Sequence, residues 1–423
     1  MFISKIAETL FVPSFEKKFY RINDTDFQIP KIKEVGAYLH IPFCKSLCPY
    51  CPYDKFPFKE QLAKEFTSAA IREIEKVAST FGKFKINSLY IGGGTPTIIG
   101  KDLCKIVQSI SKNFDTTSWE IFLETSPYDV SDEKMKMLKE CGVSMISIGI
   151  QSFKDKYLKL IGRNYNSKRA FQSIKIAKKY FNNVNIDLMF ALPNQTTREF
   201  LSDLETAKNM GVSQITSYPL FTFPYTSAGQ FLKTKRVKTP PTKIRKKMYY
   251  EMYDFLTENN FYPVSVWGFK RLKNKTYSSV TRDNYIGFGP SAATKTAEAF
   301  YLNTFSLNEY LKRVKNGKFP QVVKIDLNEK TNNYYWLYWR IYETRIPKKD
   351  FANKFMKNNE RKAIYLIQIG KKLKFLTEEK DFWQLTKKGM FYVHLLQNAF
   401  ALNYINKVWG SMMKDPAPHT IYF

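Results

Sequence analysis

Three cysteines, Cys44, Cys48 and Cys51, fall within eight residues of the run His40-Ile41-Pro42-Phe43-Cys44-Lys45-Ser46-Leu47-Cys48-Pro49-Tyr50-Cys51. Thiolates are metal ligands, and three in one tight loop suit an iron–sulfur group. CxxxCxxC lacks a fourth cysteine, so a four-iron cluster held here keeps one iron open to another ligand. Zinc is the competing chemistry, because His40 could complete a Cys₃His set. Structural zinc modules, however, usually draw their ligands as two separated pairs, and no second pair exists. A disulfide framework does not suit five cysteines in 423 residues, and the N-terminus lacks the order of a signal peptide. Cys104 and Cys141 lie in helical patterns and are expected to be ordinary core thiols.

Further groups with chemical potential fall at the ends of apolar runs. Ile91-Gly92-Gly93-Gly94-Thr95-Pro96 lets the backbone approach a ligand closely, although glycines also make plain turns. Glu124 closes a strand pattern and could accept hydrogen bonds from a ribose or ammonium group, or could simply be solvated. Gln151 follows Ile148-Gly149-Ile150, and Arg163 follows Ile161-Gly162. Asp187 interrupts the apolar run Ile186-Asp187-Leu188-Met189, where an inward charge is costly unless something satisfies it.

These residues need a scaffold that gathers strand ends. Short apolar runs at Ala37–Ile41, Ser88–Gly92, Trp119–Glu124, Ser144–Gly149, Val184–Phe190 and Gln214–Pro219 alternate with helical patterns. In the first interval Leu62, Phe66, Ala70, Ile74, Val77 and Phe81 recur every three or four residues. Strands alternating with helices imply a parallel sheet. Chemistry at the C-terminal ends of successive strands favours a barrel. Six units close only part of one. The chain divides into an N-terminal arm (1–35), the barrel (36–230), a barrel-associated segment (244–320) and a C-terminal module (327–423). Gln230 to Lys243, with Pro240-Pro241 and many lysines, reads as a linker or exposed loop. Trp383-Gln384-Leu385-Thr386-Lys387-Lys388-Gly389, then Val393, Leu396 and Phe400, has the pattern of a winged helix's strand, turn and helix.

With its setting, the cysteine run resembles the radical SAM superfamily. Tyr38-Leu39-His40-Ile41-Pro42-Phe43-Cys44 is similar to the branch of oxygen-independent coproporphyrinogen III oxidase, related heme chaperones and class C methyltransferases. The likeness covers residues 36–220 and more loosely 260–320. It implies a partial (βα)₆ radical SAM barrel, a C-terminal helical, winged-helix-like domain covering the active site, and an α/β class overall. It implies a 4Fe-4S cluster on Cys44, Cys48 and Cys51, with S-adenosylmethionine (SAM) on the open iron. Tyr38 and Tyr50 match aromatic residues beside the cluster and SAM. Gly93, Gly94, Thr95, Glu124, Gln151, Arg163 and Asp187 match SAM-contacting positions. Ile286-Gly287-Phe288-Gly289-Pro290-Ser291-Ala292-Ala293 resembles a segment near a second SAM, which implies two SAM molecules per site with Ala293 at the second.

This chain departs from two of its relatives. The oxidase carries an additional cysteine where Tyr53 stands here. The chaperones carry a His-Asn motif, whereas Tyr277-Ser278-Ser279-Val280-Thr281-Arg282-Asp283-Asn284 has no histidine. Methyl transfer to a planar porphyrin-, quinone- or heteroaromatic-like acceptor is therefore expected first. Oxidative decarboxylation of a coproporphyrinogen-like substrate comes second, and a heme-binding chaperone third. A low-potential donor such as flavodoxin or ferredoxin is the expected partner. The net charge of +29 is spread from Lys17 to Lys414, so no nucleic-acid partner is expected. With no apolar run of membrane length, the expected setting is cytoplasmic.

Overall fold

Glu34–Ile41 is the first of six parallel strands, and its alternate residues Val35, Ala37, Leu39 and Ile41 are buried. In the computed structural model, which describes residues 18–30, 32–221, 223–227, 229–230, 239–276, 283–356 and 360–422, the other five are Lys85–Gly93, Glu120–Thr125, Met145–Gln151, Val184–Phe190 and Gln214–Pro219. Each pairs in parallel with its predecessor, so spatial order follows chain order across the partial barrel. Helices connect them because parallel neighbours need crossovers. The first, Glu60–Phe81, buries Phe66, Ala70, Ile74 and Val77 on one stripe and ends at Gly82, whose φ is +78°. All six strands run longer than, or match, the expected apolar runs.

Both edges of this sheet are extended. Gly268–Arg271 pairs antiparallel with the sixth strand. Tyr285–Phe288 pairs in parallel with the first, setting Tyr285 to Phe288 beside Gly36 to Leu39. Antiparallel strands Ala293–Lys295, Ala299–Asn303, Gln321–Asp326, Lys18–Arg21 and Thr420–Tyr422 continue outward. The C-terminal region is largely helical, with Glu329–Tyr342, Arg361–Lys372, Lys387–Phe400 and Asn406–Lys414 around a three-stranded sheet. That sheet pairs Phe382–Leu385 with both Arg345–Pro347 and Leu376–Glu378. Thr386 starts the next helix by accepting a hydrogen bond from the Gly389 N–H, the strand, turn and helix expected of a wing.

One expectation fails. Cys104 and Cys141 are not separate core thiols but a disulfide, with Cα atoms 5.6 Å apart. Cys104 lies in the first turn of helix Lys101–Asn113, and Cys141 follows helix Asp132–Glu140. Helical periodicity carries no information about such a pairing across 37 residues. Among the described residues, no helix is long and apolar enough to cross a membrane.

Candidate functional site

Cys44 closes the two-residue strand Phe43–Cys44, which pairs with Phe56–Pro57 and so ties off the intervening loop. The Phe58 N–H donates to the Cys44 carbonyl at 2.9 Å and the Cys51 N–H to the Cys48 carbonyl at 3.2 Å. Lys55 Nζ donates to the carbonyls of Cys51 and Tyr53. Cys44 is buried and the other two are half-buried. Burial pushes the Cys44 thiol up to about 12 and raises Cys51 as well. Thiols held this way want a cationic centre to become thiolates, which is what iron supplies. The donor set fits a cluster. Gly94 presses on it: its N–H donates to the Ile41 carbonyl, and a Cβ there would meet the Phe43 oxygen at 2.4 Å and Cys44 Sγ at 2.9 Å. The Thr95 hydroxyl lies 3.8 Å from Cys44 Sγ and accepts from Tyr128.

His40 is not free to complete a zinc set. Its Nε2–H donates to the Asp54 carbonyl at 3.1 Å, so Nδ1 is the acceptor for the Tyr38 hydroxyl at 2.8 Å. Among the described residues, no three histidine, cysteine or acidic side chains are arranged to hold a single metal ion.

Beside the cysteines stands a polar group contributed by the second to sixth strands and by Arg163, which follows the helix Asp155–Leu160. Glu124 accepts from the Tyr90 hydroxyl and the Gly93 N–H, and burial raises its pKa. Gly93 has a φ of +116°, which a side chain would strain. Asp187 accepts from Asn185 at 2.9 Å and from Ser147 at 3.3 Å, and burial, with Glu124 nearby, pushes it up to about 7. The Arg163 guanidinium lies 5.4 Å from the Tyr50 ring and 5.8 Å from Tyr165, with a buried Nε that has no partner. Gln151 takes the left-handed conformation at φ +66°, beside a register shift, and accepts from Tyr218 at 3.0 Å. A non-glycine residue held there signals a constraint of the kind found at functional sites.

An apolar cavity of about 450 Å³ opens from this region toward the C-terminal helices. Tyr38, Gly93, Glu124 and Ala293 line one end, Tyr53 and Asp54 of the cysteine loop join them, and Tyr335, Tyr338, Trp339, Phe400 and Trp409 line the rest. Tyr38 stacks on Tyr90 across neighbouring strands with ring centres 6.0 Å apart. Tyr53 meets Trp409 at 5.6 Å.

The expected site residues thus form three adjoining sets. Cys44, Cys48, Cys51, Gly94 and Thr95 surround the loop. Tyr50, Gln151, Arg163 and Asp187 form the polar side, while Tyr38, Gly93, Glu124 and Ala293 face the cavity. Sequence reading passed over Tyr90, Tyr165, Tyr218 and Asp54. Tyr90 and Tyr218 were detectable in principle as polar-tipped rings on barrel strands; Asp54 carried no signal beyond its nearness to Cys51.

A barrel with an open-iron cysteine motif at its strand ends defines a class, and the comparisons agree on it. Residues 38–207 match the family model described as Radical SAM superfamily. Heme chaperone HemW of Bacillus subtilis is 28% identical over 365 residues, covering 80% of this chain and 96% of the relative. Oxygen-independent coproporphyrinogen III oxidase of Escherichia coli is 24% identical over 301 residues, 67% of this chain and 66% of the enzyme. The solved structure of E. coli coproporphyrinogen III oxidase superposes with a TM-score of 0.77 at 20% identity, over 94% of this chain and 98% of that one. Residues 38–207 carry a radical SAM domain, and the chain is similar to the coproporphyrinogen III oxidase-like proteins, heme chaperones among them. That family implies a 4Fe-4S cluster and SAM binding.

Proposed function

We propose that this protein is a tetrapyrrole-handling radical SAM protein whose main role is to bind and pass on heme. The ring-lined apolar cavity at the barrel mouth carries the reading: its volume lies within the range of roughly 300–1,000 Å³ usual for ligand pockets, and its walls suit a flat ligand. In sequence a heme chaperone matches 80% of this chain and 96% of its own length, against 67% and 66% for the oxidase, which moves the third expectation to first place. Methyl transfer to a planar acceptor, the leading expectation from sequence, has no such relative behind it and gives way.

Cys44, Cys48 and Cys51 would hold the cluster, which supplies an electron to SAM when reduced by a donor such as flavodoxin or ferredoxin. Arg163, Asp187, Glu124 and Gln151 would receive SAM's charged and hydrogen-bonding groups, with Tyr50 packing beside them. The buried, unpartnered Arg163 Nε favours an incoming acceptor at that spot. Histidine ligation of heme iron is not part of this reading, because His40 uses both ring nitrogens and the stretch 277–284, of which 277–282 lie outside the described residues, has no histidine. His394 packs among Tyr249, Trp267 and Phe391 instead.

Anaerobic reconstitution followed by hemin titration and SAM product analysis tests the proposal. Stoichiometric hemin binding without S-adenosylhomocysteine is expected. Absence of hemin binding, or sustained S-adenosylhomocysteine formation on a planar acceptor, would overturn it. Coproporphyrinogen turnover would instead restore the decarboxylase.

A further inference from the structure

Among the described residues that line the cavity there is no lysine or arginine, in a chain carrying +29. Among those described residues the carboxylates are Asp54 and Glu124, both at the cluster end. Glu124 is engaged by Tyr90 and Gly93, but Asp54 Oδ2 is buried with no hydrogen-bond partner. The backbone that carries Asp54 is fixed, since its carbonyl accepts from His40 and the Phe56 N–H, two residues on, donates to the Pro42 carbonyl at 2.6 Å. Lys295, which is not among the lining residues, lies with its Nζ 4.8 Å from the centre of the Tyr335 ring, and its ammonium is committed to Asn284, Thr296 and Asn332.

A ligand carboxylate pushed to this end would lose its water, find no cation among the described lining residues and face two acidic side chains, the Lys55 ammonium beside Asp54 being tied to the carbonyls of Cys51 and Tyr53. Burying a charge on those terms is strongly unfavourable. A planar ring entering edge-first can avoid this only if one edge is free of carboxylates. We propose that the inner end of the cavity selects tetrapyrroles with a carboxylate-free edge and rejects those carboxylated on every ring, with Asp54 as the specificity-determining residue. The inference rests on the tetrapyrrole reading above and narrows it.

Protoporphyrin IX has two carboxylates on one edge, whereas coproporphyrin III has four distributed around the ring. Titrating each into the reconstituted full chain at about pH 8.5, where ordinary carboxyl groups are ionised, compares them. Wild type is expected to favour protoporphyrin by about tenfold or more, the scale of one badly placed polar group. In Asp54→Asn the preference should fall several-fold, mainly through tighter coproporphyrin binding. Asp54→Ser, matched for cluster content, guards against a local folding defect in the first variant. Equal affinities in wild type, or a preference that neither variant changes, overturns the selection while leaving tetrapyrrole binding intact. Failure of both porphyrins to bind wild type overturns both readings.

Discussion

Asp187 interrupts an apolar strand, and its surroundings show how that is tolerated. Asn185 and Ser147 both donate to its Oδ1, and no lysine pairs with it in the described structure. A carboxylate fixed by neutral groups beside Arg163 is poised to meet a ligand. Asp187→Asn is therefore expected to retain cluster content and weaken SAM affinity by about one to two orders of magnitude, as loss of a charge-assisted hydrogen bond costs roughly 1.5–3 kcal/mol. An isothermal titration at matched iron content reads this directly. Arg163→Lys keeps a charge but loses the planar face that lies over Tyr50 and Tyr165, so weaker SAM binding without loss of the cluster is expected there too. The motif residues were legible because each broke a pattern: charge in an apolar strand, glycine at its end, thiols in a cluster. Asp54 and Tyr165 break no pattern, and their importance arises from where distant backbone places them.

At the scale of elements, the six strands were readable because apolar runs of strand length alternate with amphipathic helices. The glycines at the second strand's end illustrate what such an element must do. A methyl at Gly94 would collide with the Phe43 oxygen and crowd Cys44 Sγ, so the cysteine loop docks here only on bare backbone. Gly94→Ala should leave the circular dichroism spectrum nearly unchanged but sharply reduce iron and sulfide per chain after reconstitution. Full cluster content in that variant would show that the loop can shift away. Less was legible in the flanking strands. Lys18–Arg21 lies between Gln321–Asp326 and Thr420–Tyr422, partners some 300 and 400 residues away, and short strands carry no address for such pairings. The disulfide was hidden for the same reason.

Across the whole molecule, a buried carboxyl joins the barrel to its extension. Glu73 of helix Glu60–Phe81 accepts from the Gly289 N–H, the Tyr310 hydroxyl and Asn303. Burial outweighs these bonds and raises it from 4.5 to about 7, so the folded state holds its proton more tightly than the unfolded chain. Its contribution is greatest below about pH 4.5 and is lost as pH rises toward 7, by at most about 1.4 kcal/mol per pH unit. The stability advantage of wild type over Glu73→Gln should shrink over that interval, which denaturant melts at several pH values can follow. The contact between Tyr53 and Trp409 likewise joins distant parts, the cysteine loop and the helix Asn406–Lys414. Iron–sulfur clusters and porphyrins both absorb where indole emits, so one of the six tryptophans is placed as a natural optical reporter of loading. Filling either the loop or the cavity should dim its emission through energy transfer, and Trp409→Phe should lessen that response while Trp339, the other indole lining the cavity, retains its share.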